Sequence, residues 1–410
     1  MYNNVEECIL MNVYITRQPI FVRDGSVLAY ELLYRTRGEE NNTEGASENS
    51  TEEPSFFGID VMSITGDEKV VINFTDELIK QGVPQTFSPD VLDVLVSADR
   101  ADNEWICETV KALKANGYKI VVDGFDHSEA YNKLFELADV IGIDIKAPKE
   151  QLKEAEELCY RSHKQLFARN VNTNSDFEYA VRMGCKYLQG YFYARSSAVA
   201  GGSIKPIPAN LIEVMHLMAQ PEPEINDIVD VMSRDAALCQ KILKLINSVY
   251  FGVSHRVSSI NQAILILGLD YLREWVYLMG MQKISQNDSV EVMRLALLIA
   301  KFCRGLSKFI PETADKGDAV YLMGLLSMIV LSSDRDLAQA LDEFPLTNDI
   351  KKGLLRCGGT YSDIFEMALL YVDGKWDEFE NIAEKYSLDF DKVSDIFIKY
   401  AHEIGSLNLS

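Results

Sequence analysis

The stretch that most constrains this chain is residues 118–126, Y-K-I-V-V-D-G-F-D. Ile120, Val121 and Val122 form a short β-branched run that ends in Asp123 and is followed by Gly124. A run this short, with a helix-like segment on each side, reads as a fully buried parallel strand. The same strand-then-helix rhythm repeats before and after it. A closed ring of such units gathers the C-terminal strand ends at one mouth, where barrel chemistry is carried out. Asp123 is expected at that mouth.

In chain order, residues 13–20 and 26–34 read as two strands joined at Arg23-Asp24-Gly25, since Asp-Gly between extended runs signals a hairpin. Residues 38–55 carry six glutamates and no basic residue, too little apolar surface to order themselves. Further strands are expected over residues 69–74, 90–96, 139–145, 166–168 and 187–188. Helices are expected over 103–116, closed by Gly117, and over 149–160. Repeated β-α units in this number favour an α/β barrel over an open sheet. The rhythm stops at Ala200-Gly201-Gly202-Ser203, Pro206 and Pro208. Beyond it, Ile225, Ile228, Val229 and Met232 fall at helical spacing, as do Leu238, Ile242 and Leu245. Ser259 with Gln262 has the form of a capping box, and Gly268 ends that helix. The expected architecture is therefore α/β plus all-α, with a barrel over residues 1–200 and a helical domain over 201–410.

Bulk properties narrow the function. A chain of 410 residues is too long for one ordinary core. Its net charge of −22 argues against a sequence-independent hold on nucleic acid or on an anionic membrane. Seven cysteines without a C-x-x-C pair suit reduced, buried thiols in a cytosol. The first basic residue is Arg17, so no signal-peptide head is seen, and the longest uncharged run, residues 319–333, is too short to span a bilayer comfortably. The expectation is a cytoplasmic protein, with its oligomeric state, homodimer included, left open.

Glu31, Asn73, Asp93 and Asp123 lie at or near expected strand ends, with Gln189 after the last strand. Oxygen ligands of this kind suit Mg²⁺ or Mn²⁺. An Asp or Asn at a strand end is also an ordinary turn former or helix cap, and the residue types alone leave both readings open. Tyr187, Tyr191, Phe192 and Tyr193 surround Gln189, either to stack on a guanine or to pack the barrel. His216, His255 and His402 form no ligand-spaced pair.

A more specific resemblance rests on Gln18-Pro19-Ile20, Glu31-Leu32-Leu33-Tyr34-Arg35, Val71-Ile72-Asn73-Phe74-Thr75, Asp123-Gly124-Phe125 and Gln189-Gly190-Tyr191. In order and spacing these resemble the EAL domain, a family of barrel phosphodiesterases that linearise cyclic di-GMP, over residues 12–196. The resemblance implies that Glu31 is the first residue of the family's name motif, that Asn73 and Asp123 match two of its metal ligands, and that Asp93 stands where the family has a ligating Glu. It also implies Arg35 as a phosphate contact, with Gln189 a second ligand contact. The family's Asp-Asp-Phe-Gly is here Asp123-Gly124-Phe125-Asp126, and its Lys-Ile-Asp is Gly142-Ile143-Asp144. Its Ala-Glu-Gly-Val-Glu is Ala168-Arg169-Asn170-Val171-Asn172, and the loop after Asp126 is His127-Ser128-Glu129-Ala130. The second carboxylate, the water-activating lysine and a ligating Glu are thus replaced by Gly124, Gly142 and Arg169. Two-metal phosphodiester hydrolysis needs the carboxylates, and a guanidinium repels a divalent ion and keeps its proton. The barrel is expected to be catalytically inactive, with no cofactor.

The helical half resembles an HDOD domain through residues 235–243, Leu245-Ile246-Asn247-Ser248, Ser258-Ser259-Ile260, Ala263-Ile264 and Leu267-Gly268. Met323-Gly324-Leu325-Leu326-Ser327-Met328 resembles the Gly-Leu-Leu-His-Asp of related phosphohydrolases, with Ser327 and Met328 in place of His and Asp. An EAL barrel followed by an HDOD domain implies a bacterial signalling protein working through protein contacts. Alternatives are a cyclic di-GMP receptor without hydrolysis and a residually active phosphodiesterase. Residues 247–259, with Tyr250, Phe251 and Val253 around Gly252, are either a partner groove or aromatics packed inward to fix the angle between two helices. Met215, Met218, Met279, Met281 and Met323 offer another adaptable surface, or plain core filling.

Overall fold

The computed structural model describes residues 13–36, 61–65, 68–125, 128–195, 209–218, 223–247, 253, 255–269, 271–273, 275–276, 279, 290–327, 337–342, 344 and 346–405. Two compact units emerge from the chain contacts. One comprises residues 1–192 together with 367–407, and the other residues 193–366 and 408–410.

Eight strands close the first unit into a barrel in the order β1 to β8. They are β1 (Val13–Val22), β2 (Val27–Thr36), β3 (Lys69–Asn73), β4 (Leu92–Ser97), β5 (Lys119–Asp123), β6 (Val140–Asp144), β7 (Gln165–Arg169) and β8 (Tyr187–Leu188). β1 runs antiparallel to both of its neighbours, and the other pairs are parallel. The hairpin at Asp24-Gly25 reverses the chain as the sequence implies, with Gly25 at φ 86° and the Asp24 carboxylate accepting from Ser26.

Among the helices, α1 (Val61–Thr65) and α2 (Asp76–Lys80) are short, whereas α3 (Glu104–Ala115), α4 (Glu129–Leu137), α5 (Lys149–Arg161) and α6 (Asn174–Arg182) follow the strands. Side chains fix their starts. Asn103 accepts from the Ile106 amide, Ser128 from that of Tyr131, and Thr173 and Asp176 form a reciprocal capping box. Ile106, Val110 and Leu113 turn the buried face of α3 inward, as their spacing predicts.

The barrel interior holds one buried layer with a residue from every strand: Ile20, Ala29, Val71, Leu95, Val121, Val140, Phe167 and Tyr187. Because side chains alternate faces along a strand, residues two positions onward share that inner face. Glu31, Asn73, Ser97, Asp123, Gly142, Arg169 and Gln189 all stand two residues beyond this layer, toward the C-terminal strand ends.

The second unit is helical: α7 (Ala209–Met218), α8 (Ile225–Ser233), α9 (Ala236–Ile246), α10 (Ile260–Leu267), α11 (Val290–Ser307), α12 (Gly317–Leu325), α13 (Leu337–Asp342) and α14 (Asn348–Leu354). Ile228, Val231 and Met232 are buried on α8 and Leu238, Ile242 and Ile246 on α9, and α11 is buried almost all round. The Ser259 hydroxyl accepts from the Gln262 amide at the start of α10. Met215, Met218 and Met323 are buried, so they fill the core rather than a groove. Among the described residues no helix is long and apolar enough to cross a membrane.

One boundary differs from the sequence reading. The helical domain expected over 201–410 does not keep its last part, because residues 367–407 group with the barrel. That segment contains the end of α15 (Thr360–Val372), then α16 (Trp376–Ala383) and α17 (Phe390–Gly405). Tyr371, Phe379 and Phe397 are fully buried, with Tyr14 of β1 edge-on to Tyr371 at 5.8 Å. The Ser394 hydroxyl donates to the Val13 carbonyl. These aromatics pack on one another, with Tyr371 5.3 Å from Phe379 and 4.5 Å from Phe397, and on Tyr14 of β1, a pairing between residues more than 350 positions apart that no local pattern announces.

Candidate functional site

The site is built at the mouth of the barrel around Arg169, the last residue of β7. Its guanidinium donates through Nη1 to Asp123 Oδ2 at 2.8 Å, and through Nη2 to the two Glu31 oxygens at 2.7 and 3.0 Å. Gln189 Nε2 donates to Glu31 Oε2 at 2.7 Å. Glu31 is nearly inaccessible, its side chain only 3% exposed. Burial works against the charge of Arg169, but Glu31 and then Asp123 more than offset it and hold the guanidinium above its ordinary range. A buried carboxylate such as Glu31 needs a cation beside it, and here that cation is part of the chain, shared with the partly exposed Asp123.

Two glycines shape this arrangement. A Cβ at Gly142 would lie 2.5 Å from Asp123 Oδ1, so the missing side chain leaves the space that the Asp123 carboxylate occupies. Gly124 has φ +95°, a left-handed conformation that an Asp would adopt only with strain. Residues 124, 142 and 169 therefore form one coupled structure: a glycine turn, a vacated volume, and a cation that draws Asp123 and Glu31 together.

The divalent ions that the EAL resemblance implies do not fit these residues. The guanidinium takes up Glu31 and Asp123, the two carboxylates of the set, and a bound cation would meet a fixed positive charge. Among the described residues no group of three or more His, Cys, Asp or Glu could hold a metal ion. Asn73 is brought to the same layer, where its Oδ1 is buried without a hydrogen-bond partner while its carbonyl accepts from Tyr34.

Other predicted site residues lie elsewhere. Asp93 does not belong to the mouth. It precedes Leu95 of the central layer by two residues and pairs in register with Lys119, whereas Ser97 pairs with Asp123. Asp93 thus sits four residues, about 13 Å along the strand, below Ser97. At this lower end it meets Lys69 Nζ at 2.8 Å and Lys119 Nζ at 3.5 Å. Asp144 is exposed, and its carboxylate accepts from the Lys146 amide, the ordinary work of a turn former. Tyr187 also faces the lower end, hydrogen-bonding Gln165 at 2.5 Å beneath Lys119, so it packs the barrel and stacks on nothing at the mouth. Phe192 stacks on Phe177 with centroids 5.0 Å apart.

Arg35 stands four residues beyond Glu31 on the same face of β2. It is held by Asp377 and Glu380 of α16, each at 2.5 Å, and lies 5.1 Å from the Tyr14 ring centroid and 5.9 Å from that of Trp376. Sequence reasoning missed these two carboxylates and Asp373, which accepts from the Tyr191 hydroxyl. The one available signal was an aromatic and acidic tail, W-D-E-F-E, at residues 376–380. In the helical unit Ser327 is fully buried with an unpartnered hydroxyl, and His216 and His255 are exposed and separate. Tyr250, Phe251, Gly252, Met281, Met328, Asp126, His127, the acidic stretch 38–55 and the Gly/Pro boundary at 200–208 lie outside the described residues.

Comparison with known families decides the identity of the two halves. A sequence model of the EAL domain matches residues 47–196, and one of the HDOD domain matches residues 204–331. The chain carries an EAL domain followed by an HDOD domain. The EAL match begins after β1 and β2, although both complete the barrel and β2 supplies Glu31. Over nearly its whole length this EAL–HDOD chain is similar to protein YuxH of Bacillus subtilis, at 26% identity across 95% of this chain and 97% of that protein. It is likewise similar to the cyclic di-GMP phosphodiesterase CdgJ of Vibrio cholerae, at 25% identity across 96% and 92%. The solved structure of the Bacillus subtilis YkuI protein, an EAL-domain protein in complex with cyclic di-GMP and calcium, matches 45% of this chain and 55% of its own. That match has 19% identity and a TM-score of 0.32, too low to carry an argument.

Proposed function

We propose that this EAL–HDOD protein acts in cyclic di-GMP signalling without hydrolysing the nucleotide, its output carried by protein contacts of the HDOD half. The observation that supports this reading is the Arg169 guanidinium bridging Glu31 and Asp123. Hydrolysis at a two-metal centre needs those carboxylates to hold ions and orient a hydroxide. With a permanent cation between them and glycine at 142, neither metal ligation nor water activation has its groups. CdgJ is named a phosphodiesterase, so the question is settled by assay. The purified chain, incubated with cyclic di-GMP and Mg²⁺ or Mn²⁺, is expected to release no linear dinucleotide. Turnover that disappears in Glu31→Ala would overturn the reading.

A second reading, a receptor that binds the nucleotide intact, is favoured by Arg35. Its cation stays on the face of β2 above the cage, and Glu380 and Asp377 keep it charged despite partial burial. Gln189, the other nucleotide contact implied by the family, is engaged with Glu31.

A further inference from the structure

β1 and β2 present one continuous face above the buried layer of the barrel. On β1, Gln18, Thr16 and Tyr14 succeed Ile20 at intervals of two, and on β2, Glu31, Leu33 and Arg35 succeed Ala29 in the same way. The lower part of this face is the cage. Its upper part is met by the C-terminal segment. Thr16 donates to the Val372 carbonyl at 3.2 Å, Gln18 Nε2 to the Asp373 carbonyl at 3.3 Å, and the Tyr14 hydroxyl to Glu380 at 2.8 Å. Tyr191, two residues after Gln189, donates its hydroxyl to the Asp373 carboxylate.

The chemistry of this cover is that of an anionic ligand. Asp377 and Glu380 supply two carboxylate acceptors to one guanidinium, the geometry in which arginine takes a phosphate. Trp376 stacks on Tyr14 with centroids 5.9 Å apart and planes 15° apart, and the guanidinium lies beside this stacked pair, within 6 Å of both centroids. Residues 372–380 thus engage every polar side chain of this face above Glu31, together with the tyrosine that follows β8. A segment that served only to pack would be held by its apolar side, and Tyr371 and Phe379 already do that. The carboxylates are extra. Asp377 is 91% exposed, so one of the two acceptors is free to leave into water.

We propose that residues 372–380 are an internal plug, in which Asp377, Glu380 and Asp373 take the acceptor places of a phosphate diester on Arg35 and Tyr191, so that a cyclic dinucleotide binds only by displacing them. The proposal rests on the receptor reading of Arg35. A closed plug lowers the apparent affinity of the ligand by the fraction of molecules that are open, and weakening its anions raises that fraction.

The test is calorimetric titration of cyclic di-GMP into the full chain, its Asp377→Asn/Glu380→Gln variant, and the same variant carrying Arg35→Ala. Both amides keep the size of the carboxylates, and a thermal melt within a few degrees of the parent confirms an intact fold. The double variant is expected to bind at least tenfold more tightly than the parent, and Arg35→Ala to erase the gain. In the parent chain, saturating ligand is expected to speed amide hydrogen exchange over residues 373–380. Equal affinity of parent and double variant, a gain that survives Arg35→Ala, or no binding by either chain overturns the plug. Chromatography of the same mixtures for linear dinucleotide is a separate readout. Product formation would sink the non-hydrolysing reading and leave the plug standing.

Discussion

The two ends of the EAL barrel each hold a buried acid with cations beside it, and the contrast separates chemistry from scaffolding. At the mouth, Glu31 is 3% exposed and shares one arginine with Asp123. At the lower end, Asp93 is 7% exposed and meets two lysines that are 36% and 29% exposed. The lysines reach water along their stems and make a flexible neutralising pair. The arginine is a planar fork that fixes two carboxylates from different strands at once. A charge that solvent can replace does little beyond satisfying its partner. One that nothing else can replace determines what the cavity can hold.

The difference is sharpened first by stability. Arg169→Met removes the cation and leaves the buried Glu31 without it, next to Asp123. Stranding a buried charge in this way costs about 3 kcal/mol or more, read as a lower urea midpoint of the full chain. A shift no larger than that of a surface variant would mean that the mouth is as well hydrated as the lower end.

Metal binding sharpens it next. Arg169→Glu changes a repelling cation into a ligand and frees Glu31 and Asp123 to coordinate. Mn²⁺ affinity by calorimetry is expected to rise at least tenfold over the parent and to be lost again when Glu31→Ala is added. Gly124→Asp is a poorer route to the same end, because φ +95° at that position strains any side chain. Gly142→Lys added to the Arg169→Glu chain is expected to weaken its metal binding, since the Cβ drives Asp123 from its place. Tight Mn²⁺ binding by the parent would break the account of the mouth altogether.

What the sequence disclosed follows from how far each signal reaches. β-branched runs such as Ile120-Val121-Val122 name a strand locally, and Asn103, Ser128 and Thr173 name helix starts by side-chain capping. Glu31, Arg169, Asp123 and Gln189 were legible as a group through the order of the family motifs. Asp93 was misplaced because L-D-V-L-V-S alternates with period two, so Asp93 and Ser97 share a face, and only the pairing of Ser97 with Asp123 says which is at the mouth. The C-terminal cover was invisible for a related reason. Trp376, Asp377 and Glu380 mark an amphipathic helix, but the identity of its partner, β1 and β2, is a long-range fact that helix periodicity does not carry.

The smallest expected effect is the one that tests that register. In Asp93→Ala the two lysines lose their acid, yet both have solvent within reach and Lys119 keeps the Tyr187 hydroxyl at 3.0 Å. Ion pairs whose cations are about a third exposed contribute little, so the loss should stay below about 1 kcal/mol. Placed in the Arg169→Glu chain, the same change should alter Mn²⁺ affinity by less than twofold, because Asp93 lies a full side-chain layer beneath the central apolar residues while the ligands lie a layer above. Salt should lower the stability of the parent slightly more than that of Asp93→Ala, since only the parent retains a partly exposed ion pair at the lower end. If Asp93→Ala instead abolished metal binding as Glu31→Ala does, Asp93 would belong to the mouth. The register of β4 against β5, and with it the distinction between the two ends, would have to be redrawn.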